Sequence, residues 1–228
     1  MSAMTKEKPI TSWSNKDNTD LLEDITIDTF KNYVEIGGFA DDRDIDLIMP
    51  FLKKASSIAE LGAGYGRVIK ALRERDFKGN ITAIERSNNF FTYLTENFSK
   101  TAKLINKDIL DITPPRAFDA VLYMWCNISE WPPHQQASIV GRLASWTKPG
   151  GLLIIETMCP TQAPLNAGGY TNQTYIVENK NGKNAHGYIP TYKEIEDYIE
   201  LNNLNIIKRI DYITSTNRKR AIYFIHCP

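Results

Sequence analysis

Glycine recurs at alternate positions in Glu60-Leu61-Gly62-Ala63-Gly64-Tyr65-Gly66-Arg67. Residues without a Cβ let the backbone take positive φ and let a ligand touch main-chain atoms directly. The stretch before this octapeptide, SSIAEL (56–61), reads as a short buried strand, and GRVIKALRERDF (66–77) opens a helical pattern. A loop between a strand's carboxyl end and a helix's amino end turns free N–H groups toward the crevice where α/β proteins bind ligands. Two phosphate-binding patterns can be tested letter by letter. A dinucleotide G-x-G-x-x-G begun at Gly62 needs glycine at position 67, which is Arg67; the third glycine, Gly66, comes one residue early. The P-loop pattern G-x-x-x-x-G-K-[ST] is absent. The chemistry on offer is main-chain recognition of a ligand that neither pattern describes.

The elements that must position this loop follow from the apolar spacing. DIDLIMPFLKKA (44–55) carries Ile45, Ile48, Met49 and Leu52 on one helical face, with an interruption or bend expected near Pro50. After the loop come a strand at 80–85, a helix at 88–100, strands at 102–108 and 118–125, a helix at 134–147 and a strong strand at 150–158. Continuous apolar runs such as Leu152-Leu153-Ile154-Ile155 suit strands buried on both faces, as a parallel sheet requires. This strand–helix alternation predicts a doubly wound α/β fold. Residues 159–190, with Pro160, Pro164, Gly168, Gly169, Gly182 and Gly187, read as irregular. Thr191-Tyr192-Lys193-Glu194 is a capping-box pattern opening a helix to about Leu204. Strands at 205–214 and 219–227 follow, joined by a hairpin-like link and predicted to be antiparallel. Residues 1–20, rich in Ser, Thr, Asn, Asp and Lys, read as a loose arm.

Composition narrows the function class. Lys+Arg and Asp+Glu both number 27, so no basic excess marks a nucleic-acid partner. No apolar run reaches membrane-spanning length, and the polar N-terminus lacks a signal-peptide core. Cys126, Cys159 and Cys227 are far apart with no CxxC pair, which argues against disulfides and zinc and for the cytoplasm. They read as small apolar fillers.

Several segments in order resemble the class I S-adenosylmethionine-dependent methyltransferases. IAELGAGYGR (58–67) is similar to that family's E/D-x-G-x-G-x-G motif. ITAIERS (81–87) is similar to its second, acidic-ended strand, and INKDILDI (105–112) to its adenine-contact segment. FDAVLYMW (118–125) and LASWTKPGGLLIIE (143–156) are similar to its later strands. The resemblance covers about residues 45–160 and implies a mostly parallel seven-stranded, Rossmann-like sheet ending in an antiparallel hairpin. It implies a methyltransferase domain over 41–228, residues 1–40 as an arm and lid segment, and the 159–190 insert as a cover for the acceptor site.

The cofactor implied is S-adenosyl-L-methionine, and the site residues follow from the matched motifs. Gly62, Ala63, Gly64 and Gly66 form the loop. Glu85, 21 residues after Gly64, is expected to grip both ribose hydroxyls, with Arg86 beside it. Asp108 either accepts from the adenine amino group or caps a turn; Ile109 offers its backbone N–H to the ring and its side chain to the ring face. Glu60 either lies near the ligand's ammonium group or braces the loop. Arg67 is read as pointing to solvent. Tyr123 and Trp125, at the end of the fourth strand, are placed beside the sulfonium, where a cation–π contact is worth roughly 0.5–2 kcal/mol.

Methyl transfer by in-line displacement is the implied reaction, and it requires no metal; none is assigned. Tyr33, Asn127, Trp131 and His186 are candidates for the acceptor side, with His186 the best-placed of the three histidines to act as a general base. Segment 29–42, with Gly37-Gly38 as a hinge, is a candidate lid. The Asn/Asp-Pro-Pro-Tyr signature of base and amide methylation is missing, so a small molecule is the expected acceptor. Neither the atom methylated nor the oligomeric state is legible here. Rival readings are a non-catalytic or differently reacting nucleoside-binding protein of the same fold, and a nicotinamide-dependent oxidoreductase with a variant glycine loop.

Overall fold

The computed structural model describes Trp13 and residues 15–164, 167–179 and 181–228. The stretch 1–12 and residue 14, within the expected N-terminal arm, lie outside the described residues. Seven strands form one sheet: β1 (Ser57–Leu61), β2 (Asn80–Glu85), β3 (Lys103–Asn106), β4 (Phe118–Tyr123), β5 (Thr147–Met158), β9 (Asn205–Ile213) and β10 (Lys219–Cys227). Their order across the sheet is β3-β2-β1-β4-β5-β10-β9. The first five are parallel; β10 runs antiparallel between β5 and β9. This is the predicted doubly wound α/β fold with its C-terminal antiparallel hairpin.

Alternation along each strand builds two apolar layers. Ile58, Ala120 and Leu122 face α3 (Arg43–Leu52), α4 (Arg67–Glu74) and α5 (Asn88–Phe98), meeting Ile48, Ile69 and Leu94. Ala59, Val121 and Leu153 face α6 (Pro133–Ala144) and α7 (Tyr192–Leu201), meeting Leu143 and Ile199. Burying an aliphatic side chain of this size contributes about 1.5–3 kcal/mol. The helix expected to be interrupted or bent near Pro50 runs on through it as α3 to Leu52. α7 opens with the expected capping box: the Thr191 hydroxyl accepts from the Glu194 N–H, and the Glu194 carboxylate accepts from the Thr191 N–H.

Two sequence expectations need correction. Residues within the supposed loose arm form α1 (Asn15–Asp24), followed by α2 (Ile27–Ile36) inside the expected lid segment. Thr26 caps α2 with its hydroxyl, and the Glu23 carboxylate accepts from the Asn88 and Asn89 N–H groups at the start of α5. Within the arm itself, Asn18 is a tether, bonded to the His186 backbone, although composition alone reads such a residue as looseness.

The insert 159–190 is not irregular. It holds a three-stranded antiparallel sheet of β6 (Gly169–Thr171), β7 (Thr174–Glu178) and β8 (Asn184–Tyr188). Thr171 pairs with Thr174 around a two-residue turn, where Asn172 and Gln173 take φ of 49° and 66°. That is the left-handed pair a tight hairpin needs. The abundance of glycine and proline masked the alternating β-prone run Thr174-Tyr175-Ile176-Val177.

Gly66 shows why one of the loop glycines is a packing requirement. Its φ is 88°, and a Cβ built on it would sit 2.6 Å from Phe98 Cε2 and 2.9 Å from Leu94 Cδ2. Gly66→Ala therefore combines left-handed strain with overpacking against α5 and is expected to cost about 2–3 kcal/mol of stability. Chemical denaturation checks this; a loss below about 0.5 kcal/mol would contradict it.

Candidate functional site

The carboxyl ends of β1, β2 and β4 open onto a cavity of about 320 Å³. α1 and α2 cover it from one side and the small sheet from another. Every site candidate that the sequence nominates lines this cavity except Gly66, which faces α5.

The glycine loop is pinned to its neighbours by hydrogen bonds. The Gly62 and Ala63 N–H groups both donate to the Ile84 carbonyl, at 2.9 and 3.0 Å. The Gly64 N–H donates to Glu85 Oε2 at 2.7 Å, and the Ser87 N–H donates to Glu85 Oε1 at 2.8 Å. Glu85 thus joins the tip of β2 to the loop after β1, with each oxygen keeping further acceptor capacity. Burial pushes its carboxyl up, and the two N–H donors pull it back down. From the opposite side, Asn127 Nδ2 donates to the Leu61 and Gly62 carbonyls, both at 3.2 Å. Asn127, expected on the acceptor side, here braces the loop.

Arg86 ties three strand tips together. Its Nη2 donates to Glu130 Oε2 at 2.6 Å, and its Nη1 reaches Asp108 Oδ2 at 3.4 Å. Of the two roles open for Asp108, the cap is formed: its Oδ1 accepts from the Leu110 N–H at 2.8 Å. Ile109 follows, nearly buried, with its carbonyl held by Arg142.

Beneath the loop lies an acidic group without a partner. Glu60 is 3% exposed, and its Oε2 has no hydrogen-bond partner among the described residues. Burial raises its carboxyl to about 8, with Arg67 opposing and Glu85 and Asp44 adding to the shift. Arg67 does not point to solvent. It is buried, its Nη1 and Nη2 meet Asp44 at 2.9 and 2.6 Å, and its Nη1 meets Asp42 at 3.0 Å. Asp42 and Asp44 precede and begin α3, so the helix ahead of the sheet supplies the counter-charges that draw this arginine inward.

At the end of β4 the backbone is strained. Trp125 and Cys126 take φ of 53° and 62°, a conformation costing non-glycine residues about 1–2 kcal/mol each. Side chains hold the turn: the Cys126 N–H donates to Glu156 Oε2 at 3.0 Å, and the Met158 N–H donates to Cys126 Sγ at 3.3 Å. The result aims the Trp125 ring into the cavity against Phe30, centroid to centroid 4.7 Å. Tyr123 is fixed by a bond from Trp131 Nε1 at 2.7 Å and donates to the Asn127 carbonyl.

The roof is tied down through α1. Asn18 exchanges two hydrogen bonds with the His186 backbone and also donates to the Glu130 carbonyl. Trp13 stacks on the His186 ring and donates to the same Glu130 carbonyl. Asp24 pairs with Lys183. His186 lines the cavity and its Nδ1 has no partner among the described residues; His134 and His226 lie elsewhere. Tyr33 also lines the cavity from α2, and the supposed Gly37-Gly38 hinge is held by Ser215 and Thr216, which donate to the Gly38 and Ile36 carbonyls.

Sequence reasoning did not single out Phe30, Tyr175, Arg218 or Arg220, all of which line the cavity. Only the Arg218-Lys219-Arg220 cluster carried a visible charge signal, and it straddled the hairpin link and the start of the last strand as read from the sequence.

Comparison with known proteins agrees with this geometry. A methyltransferase-domain family model matches residues 58–151. No curated protein sequence matches the chain. Among solved structures, an S-adenosylmethionine-dependent methyltransferase from Clostridium acetobutylicum is similar at a TM-score of 0.66 and 14% identity, over 86% of this chain and 98% of that one. The 1,6-didemethyltoxoflavin-N1-methyltransferase of Burkholderia thailandensis, with its substrate and S-adenosylhomocysteine bound, is similar at 0.63 and 12%, over 96% and 93%. The [4+2]-cyclase SpnF is similar at 0.63 and 18%, over 83% and 82%. At these identities the likeness is one of fold. Among the described residues no helix is long and apolar enough to cross a membrane.

Proposed function

We propose that this chain, with a methyltransferase-domain match at residues 58–151 and the fold of the class I S-adenosylmethionine-dependent methyltransferases, transfers a methyl group from S-adenosylmethionine to a small-molecule acceptor. The observation that carries the reading is the join between Glu85 and the glycine loop: a buried carboxylate bonded to the Gly64 N–H at the mouth of the cavity. The residues present fit the cofactor. Glu85 would hold the ribose hydroxyls, and Ile109 and the Asp108 turn would border the adenine. The unpartnered Glu60 oxygen suits the ammonium end. When bound, the cofactor supplies an electrophilic methyl group.

The chain's own residues do the rest. Phe30 and Trp125 narrow the cavity beside the end of β4, which orients the two reactants. α1, α2 and the small sheet exclude water. Burial pushes the Cys126 thiol up, which disfavours its thiolate. The unpartnered Nδ1 of His186 is the candidate to take a proton from the acceptor.

Titration calorimetry with S-adenosylmethionine and S-adenosylhomocysteine tests the cofactor assignment. Micromolar binding of both, about −8 kcal/mol, is expected. Absence of binding for both would overturn the proposal.

A further inference from the structure

Part of the cavity, a compartment defined by its lining residues, takes no part in the cofactor contacts above. Met158 ends β5 there, Val177 and Tyr175 come from β7, Arg218 immediately precedes β10, and Arg220 lies at its start.

Tyr175 is held in an unusual pose. It pairs directly with Gly187 on β8, and a Cβ built on Gly187 would lie 2.1 Å from Tyr175 Cζ. The ring lies over Gly187, its hydroxyl oxygen 2.4 Å from where a Cβ would sit, in space that any other residue at 187 would fill. Tyr175 is half-buried, and among the described residues its hydroxyl makes no hydrogen bond. A phenol hydroxyl that lines the cavity with its donor and acceptor both open is available to a bound ligand.

The two arginines add charge. Arg220 is 4% exposed and gives Nε and Nη2 to the Glu156 carboxylate, which leaves Nη1 unused. Arg218 donates to the neutral Ala163 carbonyl and pairs with no carboxylate among the described residues. Glu156 therefore neutralises Arg220 alone, Glu130 is already held by Arg86, and Arg218 is left without a counter-charge among the described residues. The surplus is a positive charge beside an open hydroxyl, enclosed by Trp125, Met158 and Val177. Guanidinium groups favour carboxylate geometry, and the aromatic walls favour a flat ring.

Resting on the cofactor reading above, we propose that this compartment receives the methyl acceptor as an aromatic carboxylate, its anion meeting Arg218 and Arg220 and the Tyr175 hydroxyl. The carboxylate orients the molecule.

The test uses the full chain saturated with S-adenosylhomocysteine. Benzoate, 4-hydroxybenzoate and indole-3-acetate are titrated against their carboxamides by calorimetry. At least one acid is expected to bind tenfold or more tighter than its amide. Arg218→Gln should abolish most of that preference. Tyr175→Phe should weaken the acid several-fold, and Gly187→Ala, which removes the room for the ring, should do the same. None of the three should change affinity for S-adenosylhomocysteine, which also reports that the variants are folded. Equal binding of acids and amides, no binding of either to the loaded protein, or a preference that survives Arg218→Gln overturns the inference and leaves the cofactor reading standing. Failure to bind S-adenosylhomocysteine overturns both.

Discussion

Glu85→Ala is expected to weaken S-adenosylmethionine binding by at least a hundredfold, a loss of about 2.7 kcal/mol. Two effects add. The variant loses the acceptor for the ribose hydroxyls, where hydrogen bonds to a charged group are worth about 1.5–3 kcal/mol. It also releases the Gly64 and Ser87 N–H groups that the carboxylate holds at 2.7 and 2.8 Å, so the loop is no longer fixed in its binding shape. Glu85→Gln separates the two. Its oxygen satisfies one N–H, but its NH2 confronts the other, so affinity should recover only in part. Calorimetry on the three proteins reads the order wild type, Gln, Ala. An alanine variant within threefold of wild type would remove Glu85 from the site.

The second large effect is a pH dependence centred on Glu60. Burial without a partner holds its carboxyl at about 8 in the folded chain, against about 4.5 for the free side chain. The folded state therefore keeps a proton that the unfolded state gives up. This contribution to stability is fully present below about pH 4.5 and is lost as pH rises toward 8, at up to about 1.4 kcal/mol per pH unit. Glu60→Gln, which mimics the protonated form, should gain on wild type through that window, by on the order of 3 kcal/mol at its upper end. Parallel denaturation curves for the two proteins at pH 5 and pH 8 decide it; a constant difference would rule out the shift. The ligand gives a second readout. An ammonium group lodged against Glu60 would return the carboxylate to its ionised form. Binding at pH 7 should then release close to one proton, read by calorimetry in buffers of different ionisation enthalpy.

The sheet was legible because its strands are buried on both faces. Runs such as Leu152-Leu153-Ile154-Ile155, short and preceded by Pro149-Gly150-Gly151, suit such a strand better than a buried helix, and the glycine loop marked the edge that binds. What escaped was whatever depended on a distant partner. Arg67 reads as solvent-facing until Asp42 and Asp44 arrive from the preceding helix. Glu156 reads as one more strand residue until Arg220 and the Cys126 N–H converge on it. Tyr175 gains meaning only from Gly187, twelve positions on and across a strand pair. The small sheet was missed for a local reason: its turn residues, Asn172 and Gln173, sit among glycines and prolines that suggest loop.

The ties between α1 and the small sheet bear on traffic as well as shelter. Asn18, Trp13 and Asp24 hold the roof through hydrogen bonds, one ring stack and one ion pair, beside the buried Leu21. Polar clasps of this kind open at a lower cost than the sheet beneath them. A molecule sealed underneath would then depart on a schedule set by the clasps, so residence time and turnover should respond to Asn18 substitutions that leave equilibrium affinity almost untouched.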